Sequence, residues 1–352
     1  MADRFRVLEL FCGIGGCAAA LGERAEIVAA VDINQVALSV YRHNFRHPVQ
    51  VRAIESLPAQ VCREYEADLW WMSPPCQPYT VRGRRLDVDD PRAESLLTVI
   101  PRIAQLRPRY VALENVPGFG GSRAHQRLRA MLDTNGYEVQ EQFLCPTQLG
   151  IPNRRRRFYL VAGRSGSLRE LRRGDRPAAG DATGGRGSQA STSAGPGRPW
   201  LFTVRQVLDA DPPDQLWVSD ELLGRYRTAI HVVDADDAQA ESHCFTSSYG
   251  QSIGHSGSYL AGMRRERDST ADDTLASLGE TRLRGGVRRF SPQEILRLLC
   301  FPPAFRLPGS LTLRKAWELA GNSLSVAAVR HVLAAIPELA TLAAGPTSGT
   351  NR

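Results

Sequence analysis

A chain of 352 residues with 42% hydrophobic and 23% charged content is long enough to bury one large core and a smaller one. No apolar run reaches the roughly 18 residues of a membrane span, and Met1-Ala2-Asp3-Arg4 opens no secretory signal, so the expected compartment is the cytoplasm. The net charge of +7 and pI near 9.2 suggest a polyanionic partner such as nucleic acid, although the almost exclusive use of arginine (Lys315 is the only lysine) also fits a GC-rich coding sequence.

Residues 5–120 alternate short apolar runs with amphipathic segments, the signature of a parallel α/β sheet. Phe5–Phe11 reads as a strand running into a glycine turn, and Ala25–Val31 as a second strand that ends at Asp32. Ala67–Met72 is a third, stopping just before Pro74, and Tyr110–Leu113 a fourth, stopping before Glu114; Phe158–Ala162 follows. From 164 to 199 the chain turns to Gly, Ser, Thr, Ala, Pro and Arg without apolar periodicity, which reads as a flexible insertion. Residues 200–289 resume aromatic content as a small domain. Ser291-Pro292-Gln293-Glu294 then opens a helix with a serine cap, a proline at the first helical position and a glutamate at the third. Leu313–Ile336 is helical around a break at Gly321-Asn322, so that 290–340 reads as a return to the first domain (1–163), followed by a disordered tail at 341–352.

Four short motifs carry chemistry. Gly13-x-Gly15-Gly16, between a strand and a helix, lets the backbone turn tightly and approach a ligand, and Asp32 closes the next strand, where a carboxylate would accept hydrogen bonds from ribose hydroxyls. A dinucleotide fingerprint would add a further glycine where Ala18 stands, and no hydride-transfer constellation follows; a plain turn into a helix also fits this segment alone. Ser73-Pro74-Pro75-Cys76-Gln77-Pro78 places a cysteine on a stiff turn past a strand end. Seven cysteines without a Cys-x-x-Cys pair argue against a zinc ribbon, and a lone Cys76 would be an inert thiol or a nucleophile that must act as thiolate. Glu114-Asn115-Val116 sets a carboxyl at its own strand end, as a catalytic donor or as a helix cap or ion-pair partner. Asn153-Arg154-Arg155-Arg156-Arg157 precedes a strand, so Arg155 and Arg157 are expected on one face, holding a substrate or merely solvated. His43 and His47 share a helical spacing but lack a third ligand, and no metal site is expected.

In this order the motifs resemble the cytosine-C5 methyltransferases, over residues 5–163 and again over 290–335. The resemblance implies a doubly wound, mostly parallel α/β sheet of the S-adenosylmethionine-dependent type with a small target-recognition domain. S-adenosylmethionine would be the methyl donor and S-adenosylhomocysteine the product. Cys76 would add to cytosine C6, making C5 nucleophilic. Glu114 would contact N3 and the exocyclic amine, and Arg155 and Arg157 would fill a Gln-x-Arg-x-Arg motif with Asn153 in the glutamine position. Phe11, Gly13, Ile14, Gly15, Gly16, Asp32, Ile33, Ile54 and Glu55 would line the cofactor site, with Asn322 of Gly321-Asn322-Ser323-Leu324 closing it.

Cys76-Gln77-Pro78-Tyr79-Thr80, the Asn153 replacement and Cys244-Phe245-Thr246 with Tyr249-Gly250 resemble the tRNA-methylating branch of that family, whose substrate is a cytosine in the anticodon loop of tRNA-Asp. An unpaired loop base is cheaper to extrude than one in a duplex, and a small domain leaves little room to read a long DNA site. Gln77, Cys244, Phe245 and Thr246 are the expected substrate contacts, and Arg82 and Arg84, on a loop just after Cys76, would contact phosphates or simply be solvated. A tRNA is thus favoured over DNA as partner, with a DNA cytosine methyltransferase as the alternative, and a monomer without metal is expected. The arginine density at 154–157 and the insertion depart from the branch pattern.

Overall fold

The computed structural model describes residues 4–80, 86–164, 166–170, 200–226, 228–254, 256–262 and 286–343. The expected contacts Arg82 and Arg84, most of the 164–199 insertion and most of the tail lie outside the described residues. The chain forms two compact units: one is Met1–Cys145 with Arg156–Ser191 and Leu324–Arg352, the other Pro146–Arg155 with Thr192–Ser323.

The larger unit is built on a seven-stranded sheet: β1 (Arg6–Leu10), β2 (Glu26–Asp32), β3 (Val49–Val51), β4 (Leu69–Met72), β5 (Tyr110–Asn115), β6 (Tyr137–Leu144) and β7 (Arg157–Arg164). Their order is β3-β2-β1-β4-β5-β7-β6, parallel from β3 to β5, with β7 antiparallel to both its neighbours. This is the expected mixed α/β fold around a mostly parallel sheet. Strands β4 and β5 are buried along their whole length, which is why they read as unbroken apolar runs rather than as alternating ones. Chain order runs outward from β1 in one direction through β2 and β3, and in the other from β4 to β5. The carboxyl ends of β1 and β4 therefore flank the topological switch point, where open α/β sheets bind ligands.

The crossovers include α1 (Gly16–Leu21), α2 (Gln35–Asn44), α3 (Ala59–Glu64), α4 (Glu94–Leu106) and α5 (Arg123–Thr134). Asn34, two residues beyond Asp32, caps α2 by accepting from the Val36 and Ala37 amides. Leu8, Leu10, Trp70, Met72, Val111, Leu113, Phe119 and Phe158 sit in one contiguous core.

The smaller unit holds α6 (Asp220–Tyr226), a three-stranded sheet of β8 (His231–Val233), β9 (Ser258–Ala261) and β10 (Val287–Arg289), then α7 (Pro292–Leu298) and α8 (Leu313–Asn322). The capping box expected at Ser291 and Glu294 forms on both sides. An aromatic cluster joins Phe245, Tyr249, Phe290 and Trp317. The Trp317 indole donates to Phe290 O at 2.8 Å, and a Cβ on Gly250 would lie 2.1 Å from the Trp317 ring, so only glycine fits there. The helical break falls at Ser323–Ser325, after which α9 (Val326–Leu333) belongs to the larger unit. There Arg330 donates to the Ala19 and Ala20 carbonyls at the end of α1, and Leu324 packs on Gly16.

Candidate active site

The turn after β1 is built from left-handed residues. Phe11 (φ 56°), Gly13 (φ 52°) and Gly15 (φ 92°) alternate with ordinary ones. For Phe11 this conformation costs on the order of 1 kcal/mol and marks a turn held by its surroundings. The holding groups are specific. Asp32 accepts from Gly13 N through Oδ2 and from Asn34 N through Oδ1, both at 2.8 Å, so one carboxylate ties the turn to the end of β2. A Cβ on Gly15 would meet Phe45 at 2.5 Å and Tyr41 at 3.0 Å, and one on Gly16 would meet Leu324 at 2.8 Å. Over Gly13 nothing lies within 4 Å, leaving open space above the turn.

Ile14 is buried beneath the turn, whereas Ile33, one residue beyond Asp32, is 69% exposed. An exposed isoleucine, an open glycine and a carboxylate at adjoining strand ends fit an adenosine-bearing ligand: apolar contact for the base, acceptor for the ribose. Ile54 is buried and Glu55 exposed; their carbonyls accept from Arg102 of α4 at 2.6 and 2.8 Å, which fixes the segment after β3. Asn322 ends α8 in the smaller unit, exposed.

The Cys76 turn leaves β4 and the Glu114 turn leaves β5, adjacent parallel strands paired as far as Met72↔Leu113. Cys76 opens a short 3-10 turn, Gln77–Tyr79, closed by Tyr79 N donating to Cys76 O at 3.0 Å. Asn115 Nδ2 donates to Pro74 O at 3.1 Å, clamping the two turns together. Gly118 makes the second clamp, for a Cβ there would lie 2.2 Å from Tyr79 O. The Tyr79 ring is buried edge-on against Phe119, centroids 5.0 Å apart. Cys76 is half-buried and Gln77 exposed, while burial pushes the thiols of Cys12, Cys17 and Cys62 up, away from the thiolate. Cys244 and Cys300 are also half-buried, so exposure alone does not single out Cys76; its strand-end position does.

Glu114 is nearly buried and pairs with Arg157, Nε to Oε1 3.4 Å. The expectation that Arg155 and Arg157 share a face is not met. Extended pairing begins only at Arg157, so strand alternation does not reach back to Arg155. Arg155 is buried in the smaller unit instead. Its guanidinium donates to Phe245 O (3.1 Å), Gly321 O (3.2 Å), Ser323 O and Cys244 Sγ (3.4 Å). It thereby gathers Cys244-Phe245-Thr246 and the end of α8 around one side chain. Gly321 is required there, as its Cβ would lie 2.2 Å from Thr246 O. The other arginines of the run are engaged too: Arg154 pairs with Glu241, and Arg156 lies over the Phe143 ring at 4.5 Å. Asn153 donates to Ser242 Oγ at 2.9 Å.

Cys76 and Glu114 thus stand on neighbouring turns fastened to each other, with Arg157 of β7 against the carboxyl, and the family model for C-5 cytosine-specific DNA methylases matches residues 5–338. The chain belongs to this family. The enzyme class expected above, an S-adenosylmethionine-dependent cytosine-C5 methyltransferase, stands with it. Among curated relatives, a tRNA (cytosine(38)-C(5))-methyltransferase from Spodoptera frugiperda is 32% identical over 93% of this chain and 98% of its own. The protein of the same name from Mus musculus is 31% identical over 96% and 94%. A crystal structure of a Spodoptera frugiperda DNMT2 mutant superposes with a TM-score of 0.74 at 30% identity, covering 95% of this chain and 99% of the other.

Sequence reasoning gave no role to Asn115, although the residue stands inside the quoted Glu114-Asn115-Val116 motif. It also passed over Arg102, Glu9 and Tyr41, which carry no local signal because their partners lie on other elements.

Proposed function

We propose that this family member transfers a methyl group to C5 of a cytosine in tRNA, in the anticodon loop of tRNA-Asp, through a covalent adduct between Cys76 and C6. S-adenosylmethionine supplies the electrophilic methyl when bound at the glycine turn, with Asp32 accepting from its ribose and Ile33 against its base. The Cys76 thiolate adds to C6, and the negative charge this sends to N3 is met by the Glu114 carboxyl, which takes up a proton as the cytosine enters and donates it in a hydrogen bond to N3. Arg157, ion-paired to Glu114, is oriented to polarise O2 of the same ring. Asn115 and Gly118 keep the nucleophile and the carboxyl in register. Arg155 acts by holding Cys244-Phe245-Thr246, which with Gln77, Arg82 and Arg84 is assigned to the substrate. On this reading the larger unit carries cofactor and catalysis, and the smaller one recognises the target, in a cytoplasmic monomer.

The observation that carries the substrate is the likeness, over nearly the whole of both chains, to relatives named for tRNA methylation. The test is transfer of labelled methyl to total tRNA and to unmethylated duplex DNA in parallel, with Cys76→Ala as control. Label in tRNA alone, lost in the variant, is the expected result. Label in DNA alone makes the substrate assignment wrong, and label retained by Cys76→Ala removes the adduct.

A further inference from the structure

A carboxyl group lies in the interior of the sheet where the reaction as described does not use it. Glu9, on the central strand β1, is fully buried. Its Oε1 accepts a long bond from Ala18 N, 3.4 Å, in the first turn of α1. Its Oε2 is 2.9 Å from the Tyr41 hydroxyl, which is itself 3.0 Å from His47 Nδ1. The His47 ring, half-buried, stacks on Phe45 with centroids 5.4 Å apart. The chain of atoms thus leads from the centre of the sheet to the outer end of α2.

The groups facing Glu9 from the packed elements are Tyr41 of α2, Cys12 and Cys17 at α1, and Asp32 of β2. None of these facing groups, among the described residues, is a cation; Arg42 acts on Cys12. Burial without a positive partner pushes the Glu9 carboxyl up to about 8, although the Tyr41 hydroxyl and the backbone amides pull the other way. The same Tyr41 ring, with Phe45, is the floor on which Gly15 rests. Glu9 is therefore tied to the first turn of α1 through Ala18, and through Tyr41 to the ring against Gly15.

We propose that Glu9, Tyr41 and His47 form a proton relay beneath the glycine turn, by which the site tells the cationic methyl donor from its uncharged product. The inference rests on the cofactor reading above. The donor carries a sulfonium and the product a neutral thioether, so only the donor would bring a fixed positive charge to the turn near which Glu9 is buried. That charge favours the carboxylate. Glu9 passes its proton to the Tyr41 oxygen as Tyr41 passes its own to His47 Nδ1; the imidazolium releases the Nε2 proton to water, and one proton leaves per carboxylate formed. Once the methyl is transferred the positive charge is gone and Glu9 takes a proton back, which weakens the hold on the product. By linkage, the factor by which the donor acidifies Glu9 equals the factor by which ionising Glu9 tightens the donor. His47, itself shifted down by burial, stays neutral and able to accept.

The test is calorimetric titration of the whole protein with S-adenosylmethionine and, separately, S-adenosylhomocysteine, from pH 6.5 to 9 in buffers of different ionisation enthalpy. The donor-to-product affinity ratio is expected to rise about tenfold across that range, the effect of displacing one titration by one pH unit. Donor binding should release protons beyond those of the ligand's own amine, which Glu9→Gln measures. Glu9→Gln should flatten the ratio. Tyr41→Phe should move the rise to higher pH, because the hydroxyl that favours the carboxylate is gone. A flat ratio in the wild-type protein, or equal proton release in Glu9→Gln, overturns the relay alone; failure of either ligand to bind at any pH overturns the cofactor reading and the relay with it.

Discussion

Replacing Arg155 by lysine separates holding from catalysis within one short run. The wild-type guanidinium is buried and reaches three main-chain carbonyls, of Phe245, Gly321 and Ser323, as well as the Cys244 sulfur. Lysine keeps the charge but lacks the planar fork, so its ammonium cannot serve the Phe245 side and the α8 end together. At least one buried carbonyl then loses its donor, at about 1–3 kcal/mol, and the remaining contacts to the charge weaken. Arg155→Lys should therefore cost about 2–3 kcal/mol, and Arg155→Ala, which abandons all three acceptors, about 3–5 kcal/mol. Urea unfolding followed by tryptophan fluorescence measures this, since Trp317 stands in the aromatic cluster that includes Phe245 and Phe290. Arg157→Lys is the counterpart. Its ion pair with Glu114 is largely buried, but lysine keeps a positive charge opposite the carboxyl, so Arg157→Lys should cost less stability than Arg155→Lys, while methyl transfer slows. If Arg155→Lys unfolds within about 0.5 kcal/mol of wild type, the guanidinium does not hold Cys244-Phe245-Thr246 to the end of α8, and its assigned role is wrong.

Gly118→Ala should leave cofactor binding intact and lower the methyl-transfer rate by about 10²-fold, because a Cβ 2.2 Å from Tyr79 O forces the two turns apart; an unchanged single-turnover rate would show that the clamp is dispensable. Glu114→Gln should slow turnover by about 10²-fold or more, the scale of a positioned proton donor, without moving the donor dissociation constant. Glu9 makes a stability prediction independent of any ligand. The native state holds a proton that the unfolded chain gives up above pH 4.5, so its contribution is complete below that pH and is lost as pH rises to about 8. Glu9→Gln removes this dependence and should stabilise the protein at pH 7 by up to about 3 kcal/mol, at 1.36 kcal/mol for each pH unit above 4.5. Parallel denaturation curves for both proteins from pH 5 to 8 would contradict it.

Much of the architecture is legible in the chain because parallel strands are apolar throughout and end abruptly. The strands expected at Phe5–Phe11, Ala25–Val31, Ala67–Met72, Tyr110–Leu113 and Phe158–Ala162 all appear, with ends shifted by up to two residues. Strand β6 went unread because only part of it is buried, its exposed and half-buried positions mixing polar residues into the apolar pattern. Strand β3 is three residues long, too short for any periodicity to show.

The candidate site divides along the same line. Its turns are local objects: Gly13-x-Gly15-Gly16 and Pro74-Pro75-Cys76 constrain their own backbones, so their shape and their place at strand ends follow from the order of residues alone. What those turns are fastened to is not local. Asn115 meets Pro74 and Gly118 meets Tyr79 only because β4 and β5 lie side by side. Arg155 and Arg157 stand two apart in the chain yet serve different partners, one caged by carbonyls from distant segments and one facing Glu114. Glu9 reads as an ordinary acidic residue until the sheet removes it from water and leaves it Tyr41 in place of a cation. Sequence order alone determines where reactive groups leave the sheet, because that depends on torsions and hydrophobic runs. Which of them is held, paired or kept protonated depends on desolvation and on neighbours far along the chain, and only the tertiary structure decides it.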